Sequence, residues 1–285
     1  MSARLLATLV ACAVIAAPIG CRTVEKSVVA SNHRDWSPDQ ATLTSAVFKD
    51  DEVAIKNVRY CKYLGEDDYV VDHQDRRYDL RQIRGVDFIA MPFGPVPALA
   101  HTMLSFEFAP SPPLNRPHHL AVSVEVRREK DEEGFSPRMG LTQQYEIMYV
   151  VADERDLLYR QTIVRDGPTY LYRTTASPAA ARELLASMLN RANQLADEPQ
   201  FYNLLTNNCT TNIAEHVNLI RPNKIAFDIG VLLPGLSAQK AYNEGLLVTR
   251  AGETFEQLQA RSLINTRARV AANNPKLDFS EAIRR

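Results

Sequence analysis

The chain has 285 residues, enough for one substantial core or two small ones, and its 45% hydrophobic and 24% charged content is that of an ordinary globular protein. A net charge of −1, with no basic run and no interleaving of basic and aromatic residues, argues against a nucleic-acid partner. No internal repeat stands out, and no stretch after residue 30 is apolar enough to cross a bilayer.

The N-terminus has a different character. A short basic start, Met1 to Arg4, leads into the small and apolar run Leu5 to Gly20, which stops at Cys21. This reads as an export signal over residues 1–21, since the run is shorter than the ~20 residues of a membrane span. The Gly20-Cys21 junction resembles the bacterial lipoprotein signal, in which the cysteine is freed and acylated. Pro18 departs from that pattern, and cleavage near Ala16 or Ala17 is the alternative. Residues 22–45 read as a polar tether, with Trp36-Ser-Pro-Asp as a turn or helix start.

A domain over residues 46–250 follows. Asp51 to Tyr60 alternates through Val53, Ile55 and Val58 and predicts a strand. Gly65 to Asp79 has few apolar positions and predicts a solvated loop; Glu66, Asp67, Asp68, Asp72 and Asp75 lack metal-site spacing. Strands are predicted at Val86–Met91, Ala98–Phe108 and Leu120–Val126, the last two joined as a hairpin across residues 109–117. In the third, Val122, Val124 and Val126 face one way and Ser123, Glu125 and Arg127 the other. Glu129–Gly140 reads as a mobile surface segment, and Tyr145–Ala152, Leu157–Val164 and Tyr170–Tyr172 as further strands. Ser177-Pro178 opens a helix to about Ala196 with an apolar face of Leu184, Leu185, Met188, Leu189 and Leu195. Residues 251–285 read as a peripheral helical tail with an unstructured end. Strands followed by helices predict an α+β fold.

The residues with chemistry lie near a second helix. Phe201 to Asn208 is a polar turn, and Ile213, Val217 and Ile220 then recur at helical spacing. Cys209 therefore stands at a helix N-terminus, where unpaired N–H groups and the dipole favour thiolate. A small buried cysteine that packs the helix is the structural alternative. With Cys12 removed in the signal and Cys21 lipidated, Cys61 and Cys209 remain, and a disulfide between them is a further alternative in an oxidising compartment.

A thiolate mechanism needs a base. His216 lies on the cysteine's own helix, a rise of ~10.5 Å away, too far to reach the sulfur. His33 and His73 lie in polar segments; His118 and His119 open a strand without a third metal ligand. His101 stands in an otherwise apolar strand, where an unpartnered imidazole is costly. It is either a satisfied core histidine or the base. Glu125 is the candidate for orienting it, and Asn208 and Ser123 are candidate oxyanion or supporting groups.

Six segments carry a family resemblance. They are Arg34-Asp-Trp-Ser-Pro-Asp-Gln, Val86-Asp-Phe-Ile, Ala100-His-Thr-Met-Leu-Ser-Phe, Ser123-Val-Glu-Val-Arg127, Tyr149-Val-Val-Ala-Asp-Glu-Arg155 and Tyr202-Asn-Leu-Leu-Thr-Asn-Asn-Cys-Thr-Thr-Asn212. Together they resemble the Lnb N-terminal periplasmic domain family over about residues 30–250. The resemblance implies a circularly permuted papain-like fold, in which an antiparallel sheet carrying the histidine packs against the cysteine helix, in the order found in lecithin:retinol acyltransferase-type enzymes. It implies Cys209 as nucleophile, His101 as base and Glu125 as third member, with no cofactor.

The expectation is a cysteine-dependent acyltransferase or acyl hydrolase on the periplasmic side of the bacterial envelope. Its substrates are membrane lipid or lipoprotein acyl groups, and a lipid anchor on Cys21 holds it to the membrane. A peptidase or amidase acting on peptidoglycan peptides, and a non-catalytic envelope-binding lipoprotein, are the alternatives.

Overall fold

The computed structural model describes residues 29–66, 68–94, 96, 98–110, 115–132 and 134–285. The signal at 1–21, Cys21 and the first part of the tether lie outside the described residues.

Among the described residues ten strands follow in chain order: β1 (Ser45–Lys49), β2 (Glu52–Arg59), β3 (Lys62–Tyr63), β4 (Tyr69–Val70), β5 (His73–Asp79), β6 (Ile83–Pro92), β7 (Ala100–Phe108), β8 (His118–Arg127), β9 (Glu146–Asp153) and β10 (Tyr170–Arg173). Eight of them form one sheet in the order β1-β2-β9-β8-β7-β6-β10, with β5 also on β2. All its pairings are antiparallel except the short β2–β9 contact at Arg59 and Ala152. The fold is a mixed α+β one, as the order of strands and helices predicts.

Both faces of the sheet are covered, because the central strands alternate between two apolar sets. Val86, Phe88, Leu104, Phe106, Val122 and Val124 pack on one side against Leu184, Leu185, Met188 and Leu189 of the Pro178–Asp197 helix and against Cys209 and Ile213 of the Cys209–Ile220 helix. On the other side Met91, Met103, Ala121, Met148 and Val150 meet Leu157, Leu158, Ile264, Ala268, Phe279 and Ile283. Ser177 caps the long helix by accepting from Ala180 N–H, with proline at its first position.

Several segments differ from their sequence-based expectation. Leu157–Val164 is helical: Asp153 caps the Glu154–Tyr159 helix, and a π turn continues it over Arg160–Val164. Leu158 and Thr162, four apart, are fully buried, and the Thr162 hydroxyl donates to the Leu158 carbonyl. Gly65–Asp79 contains β4 and β5; β5 is held by polar pairing such as Arg76 with Asp153, so it lacks an apolar alternation. Residues 29–44 are packed rather than free. Trp36 is buried under the Arg127 guanidinium, 4.2 Å from its ring, and Arg34 pairs with Glu146. The segment after residue 250 belongs to the core. Its three helices, Phe255–Ser262, Asn265–Ala272 and Phe279–Ala282, bury Leu258, Ile264, Phe279 and Ile283. These apolar residues are spread over three short helices, which dilutes any single periodicity.

Candidate active site

The site forms where the start of β7, the end of β8 and the first turn of the Cys209–Ile220 helix meet. The turn before the helix is fixed by side chains. Asn203 accepts from the N–H groups of Leu205 and Thr206, and Asn207 donates to the Phe201 carbonyl. Asn208 is the N-cap; its side-chain oxygen accepts from Thr210 and Thr211 N–H, and its carbonyl from Asn212 N–H. That leaves Cys209 N–H as the uncommitted donor of the first turn among the described residues.

The Asn208 carboxamide shapes this turn. Its oxygen caps the helix, and its nitrogen donates to the Leu204 carbonyl at 2.7 Å. Asn208 thus holds Cys209 at the start of the helix.

Cys209 is 3% exposed and carries a free thiol. Its burial opposes ionisation, but a side-chain hydrogen bond to His101, the imidazolium charge and hydrogen bonds from the Thr102 side chain and backbone outweigh it and bring the thiol from 9.0 to about 7. Burial likewise works against a charged His101, yet Cys209 and Glu125 raise its pKa above the usual value. Each partner therefore favours the charged form of the other. Cys61 is the contrast: it too is a free thiol, with no disulfide to Cys209, and burial beside Asp156 pushes it up to about 11.

The strand register brings the supporting groups to the same face. Met103 pairs with Ser123, which lays His101 alongside Ser123 and Glu125. His101 Nε2 is 2.6 Å from Ser123 Oγ and 4.0 Å from Glu125 Oε1. Burial acts to raise the Glu125 pKa, but Arg59, His101 and a hydrogen bond from Ser123 hold it low, as a carboxylate. Gln40 donates to Glu125 Oε2 at 3.3 Å and to the Val126 carbonyl at 3.0 Å.

Cys209, His101 and Glu125 all line one cleft of ≈ 800 Å³. Phe93, Phe135, Tyr202, Leu204 and Pro234 form an apolar part of its wall, and Arg128, Arg160, Arg165 and Glu66 a charged part. Arg160 and Arg165 come from the π turn and the residue after it, a distortion that recurs at functional sites. The remaining candidates lie elsewhere. His216 is held between Tyr149 hydroxyl and Ser187 hydroxyl, and burial next to Arg191 takes it down to about 4, so it is a neutral core group. His118 stacks on Phe108. Among the described residues no group of three His, Cys, Asp or Glu side chains is arranged to hold a metal ion.

Three contributors escape a reading of the sequence. Thr102 stands next to His101 and bridges to Thr210, hydroxyl to hydroxyl, at 3.1 Å. Arg59 sits behind Glu125 at the end of β2, and Gln40 arrives from the N-terminal segment. Thr102, adjacent to the histidine, and Gln40 both lie in segments that carry the family resemblance, whereas Arg59 lies in none of them.

The family model for the Lnb N-terminal periplasmic domain matches residues 69–235, which include the whole of β7, β8 and the cysteine helix. The chain belongs to this family, which places it in the periplasm as a protein of the bacterial envelope. No curated protein and no solved structure matches it. No helix among the described residues is long and apolar enough to cross a membrane.

Proposed function

We propose that this member of the Lnb N-terminal periplasmic domain family is a cysteine-dependent acyltransferase or acyl hydrolase. Cys209 thiolate attacks the carbonyl carbon of an ester or amide, and the Cys209 N–H receives the oxyanion. The bond to the leaving group breaks as His101 returns the thiol proton to it, which leaves a thioester on Cys209. An amine or water then attacks the thioester, gives its proton to His101, and restores the thiol. No metal or cofactor takes part in this scheme.

The observation that carries the reading is the pairing itself: a buried cysteine at a helix N-terminus, brought down to about 7 by a histidine that lines the same cleft. The histidine strand precedes the cysteine helix in the chain, the order of a permuted papain-like site. The apolar wall suits an acyl chain and the arginines suit an anionic headgroup, which favours phospholipid or lipoprotein acyl groups as substrates. The charged wall also suits the carboxylates of peptidoglycan peptides, so an amidase is the second reading. Residues 1–21 serve as an export signal, and lipid on Cys21 tethers the domain to a membrane.

Incubation of the mature protein with phospholipid vesicles, a lipoprotein peptide and muropeptides tests this. The expected result is an acyl adduct on Cys209 and product from a lipid substrate, both abolished in Cys209→Ser with native circular dichroism. Product from muropeptides alone supports the amidase. Unchanged turnover in Cys209→Ser rejects the thiol mechanism, and absence of any adduct or product supports an envelope-binding role.

A further inference from the structure

We propose that Ser123 is the positioning residue of this site: its hydroxyl, interposed between His101 and Glu125, keeps a proton on Nε2 of the ring and leaves Nδ1 to take the proton of Cys209. This rests on the reading of Cys209 and His101 as nucleophile and base. It displaces Glu125 from direct contact with the histidine.

The distances separate the two partners. Ser123 Oγ lies 2.6 Å from His101 Nε2, a short hydrogen bond, whereas Glu125 Oε1 lies 4.0 Å from the same nitrogen, beyond hydrogen-bond length. Ser123 is fully buried, so no water competes for its hydroxyl. It also shares a side-chain hydrogen bond with Glu125. The direction of both bonds follows from proton counting. A hydroxyl has one proton to give and lone pairs to accept with, and an ionised carboxylate only accepts. The serine proton therefore goes to Glu125, its lone pair faces Nε2, and Nε2 must carry hydrogen. In a neutral imidazole the other nitrogen, Nδ1, is then the acceptor.

Glu125 is held for this purpose. Gln40 donates to its second oxygen, and Arg59 supplies positive charge behind it. The charged groups that act on the ring are Cys209 from the helix, Glu125 from β8 and Arg165 after the π turn; Arg59 and Asp39 act on Glu125 in turn. When the thiol proton moves to Nδ1, the imidazolium keeps its Nε2 proton on Ser123, and the serine keeps its own proton on Glu125. No proton travels beyond the ring, and the carboxylate acts by charge through the serine.

Two measurements on the full mature chain test this. One is the pH midpoint of iodoacetamide labelling at Cys209, mapped by mass spectrometry. The other is the His101 tautomer, read from imidazole nitrogen shifts after Cys209 is alkylated. Wild type is expected to show the Nε2–H form. Ser123→Ala mixes the tautomers and raises the labelling midpoint by about one pH unit, a roughly tenfold slower reaction below neutrality. Ser123→Thr restores both. Glu125→Gln keeps the Nε2–H form, because the amide oxygen still accepts the serine proton, but raises the midpoint as the ring loses its counter-charge. A folded Ser123→Ala protein with wild-type midpoint and tautomer overturns the proposal, as does loss of the tautomer in Glu125→Gln. Wild-type labelling insensitive to His101→Ala overturns instead the nucleophile–base reading on which it rests.

Discussion

Arg59 Nη2 lies 2.8 Å from Asp156 Oδ1, with the two side chains 4% and 0% exposed. The same carboxylate accepts from Cys61 N–H and the Tyr63 hydroxyl, and Arg59 donates to the Asp39 carbonyl. The pair thus ties β2 to the Glu154–Tyr159 helix directly behind Glu125. Breaking such a pair leaves a charge stranded out of water, which costs about 3–5 kcal/mol. Asp156→Asn is expected to lose stability on that scale in urea denaturation. Arg59→Met should lose as much and in addition raise the Glu125 pKa, because Arg59 is the main group that lowers it. A loss under about 1 kcal/mol in both variants would be the signature of a solvated pair and would rule this account out.

The two free thiols should separate cleanly by pH. Cys209 is brought down to about 7 and Cys61 pushed up to about 11. A lowered pKa means that the reactive thiolate is present above about 7 and disappears as pH falls through that value. At pH 8 iodoacetamide should therefore label Cys209 and spare Cys61. His101→Ala removes the hydrogen bond and the charge that oppose burial, so the Cys209 midpoint should move above 9.0, with labelling at neutral pH slower by about two orders of magnitude. Equal rates at the two cysteines in wild type would contradict the assembled pair.

Much of this site was legible because local rules and the family resemblance agree on it. Asn208 before Cys209 announces a cap, and the β7–β8 hairpin sets His101, Ser123 and Glu125 on one face by simple alternation. What alternation does not give is distance. Glu125 reads as the natural partner of His101, yet Ser123 makes the contact, its hydroxyl 2.6 Å from Nε2 against 4.0 Å for the carboxylate. Arg59 and Gln40 were hidden for a different reason. They reach the site through tertiary packing from β2 and from the segment before β1, and polar residues in those places look like surface. The C-terminal helices escaped because each contributes only one or two apolar residues to the core.

The proposed lipid anchor is Cys21, with about seven residues between it and the first described residue, Val29. From Val29 onward the chain is pinned: Ser31 N–H and Arg34 both bond to Glu146, and Asn32 donates to the carbonyls of Leu195 and Ala196. An extended chain spans at most ~3.3–3.6 Å per residue, so a lipid on Cys21 would hold the domain close to the bilayer. Two or more acyl chains are required for stable attachment. Mass spectrometry of the mature protein is expected to show an acylated Cys21 at its N-terminus, and Cys21→Ala is expected to move the protein from membrane to soluble fractions. A mature chain that starts elsewhere without lipid would leave export intact and remove the anchor.

Arg284, the penultimate residue, closes the opposite face of the sheet. Its Nη2 lies 2.7 Å from Asp87 Oδ2 and 2.5 Å from Glu154 Oε1, while Ser105 also donates to Glu154. The two carboxylates are 2% and 0% exposed, so the arginine is what makes their burial tolerable. Burial acts to raise the Glu154 pKa, but Arg284, His119 and the serine bond bring it to about 2, below its ordinary 4.5. A carboxylate lowered in this way stabilises the fold above about 4.5, and the contribution is lost as pH falls toward 2. Arg284→Met should therefore cost about 3–5 kcal/mol at pH 7. The gap to wild type should narrow on acidification, because Glu154 in the variant protonates earlier and no longer buries a bare charge. Urea titrations of both proteins at pH 7 and pH 4 read this out. A gap that is small at pH 7, or that does not shrink at pH 4, would show that Arg284 is a surface residue in solution and that the C-terminal helices hold to the sheet by apolar contacts through Phe279 and Ile283 alone.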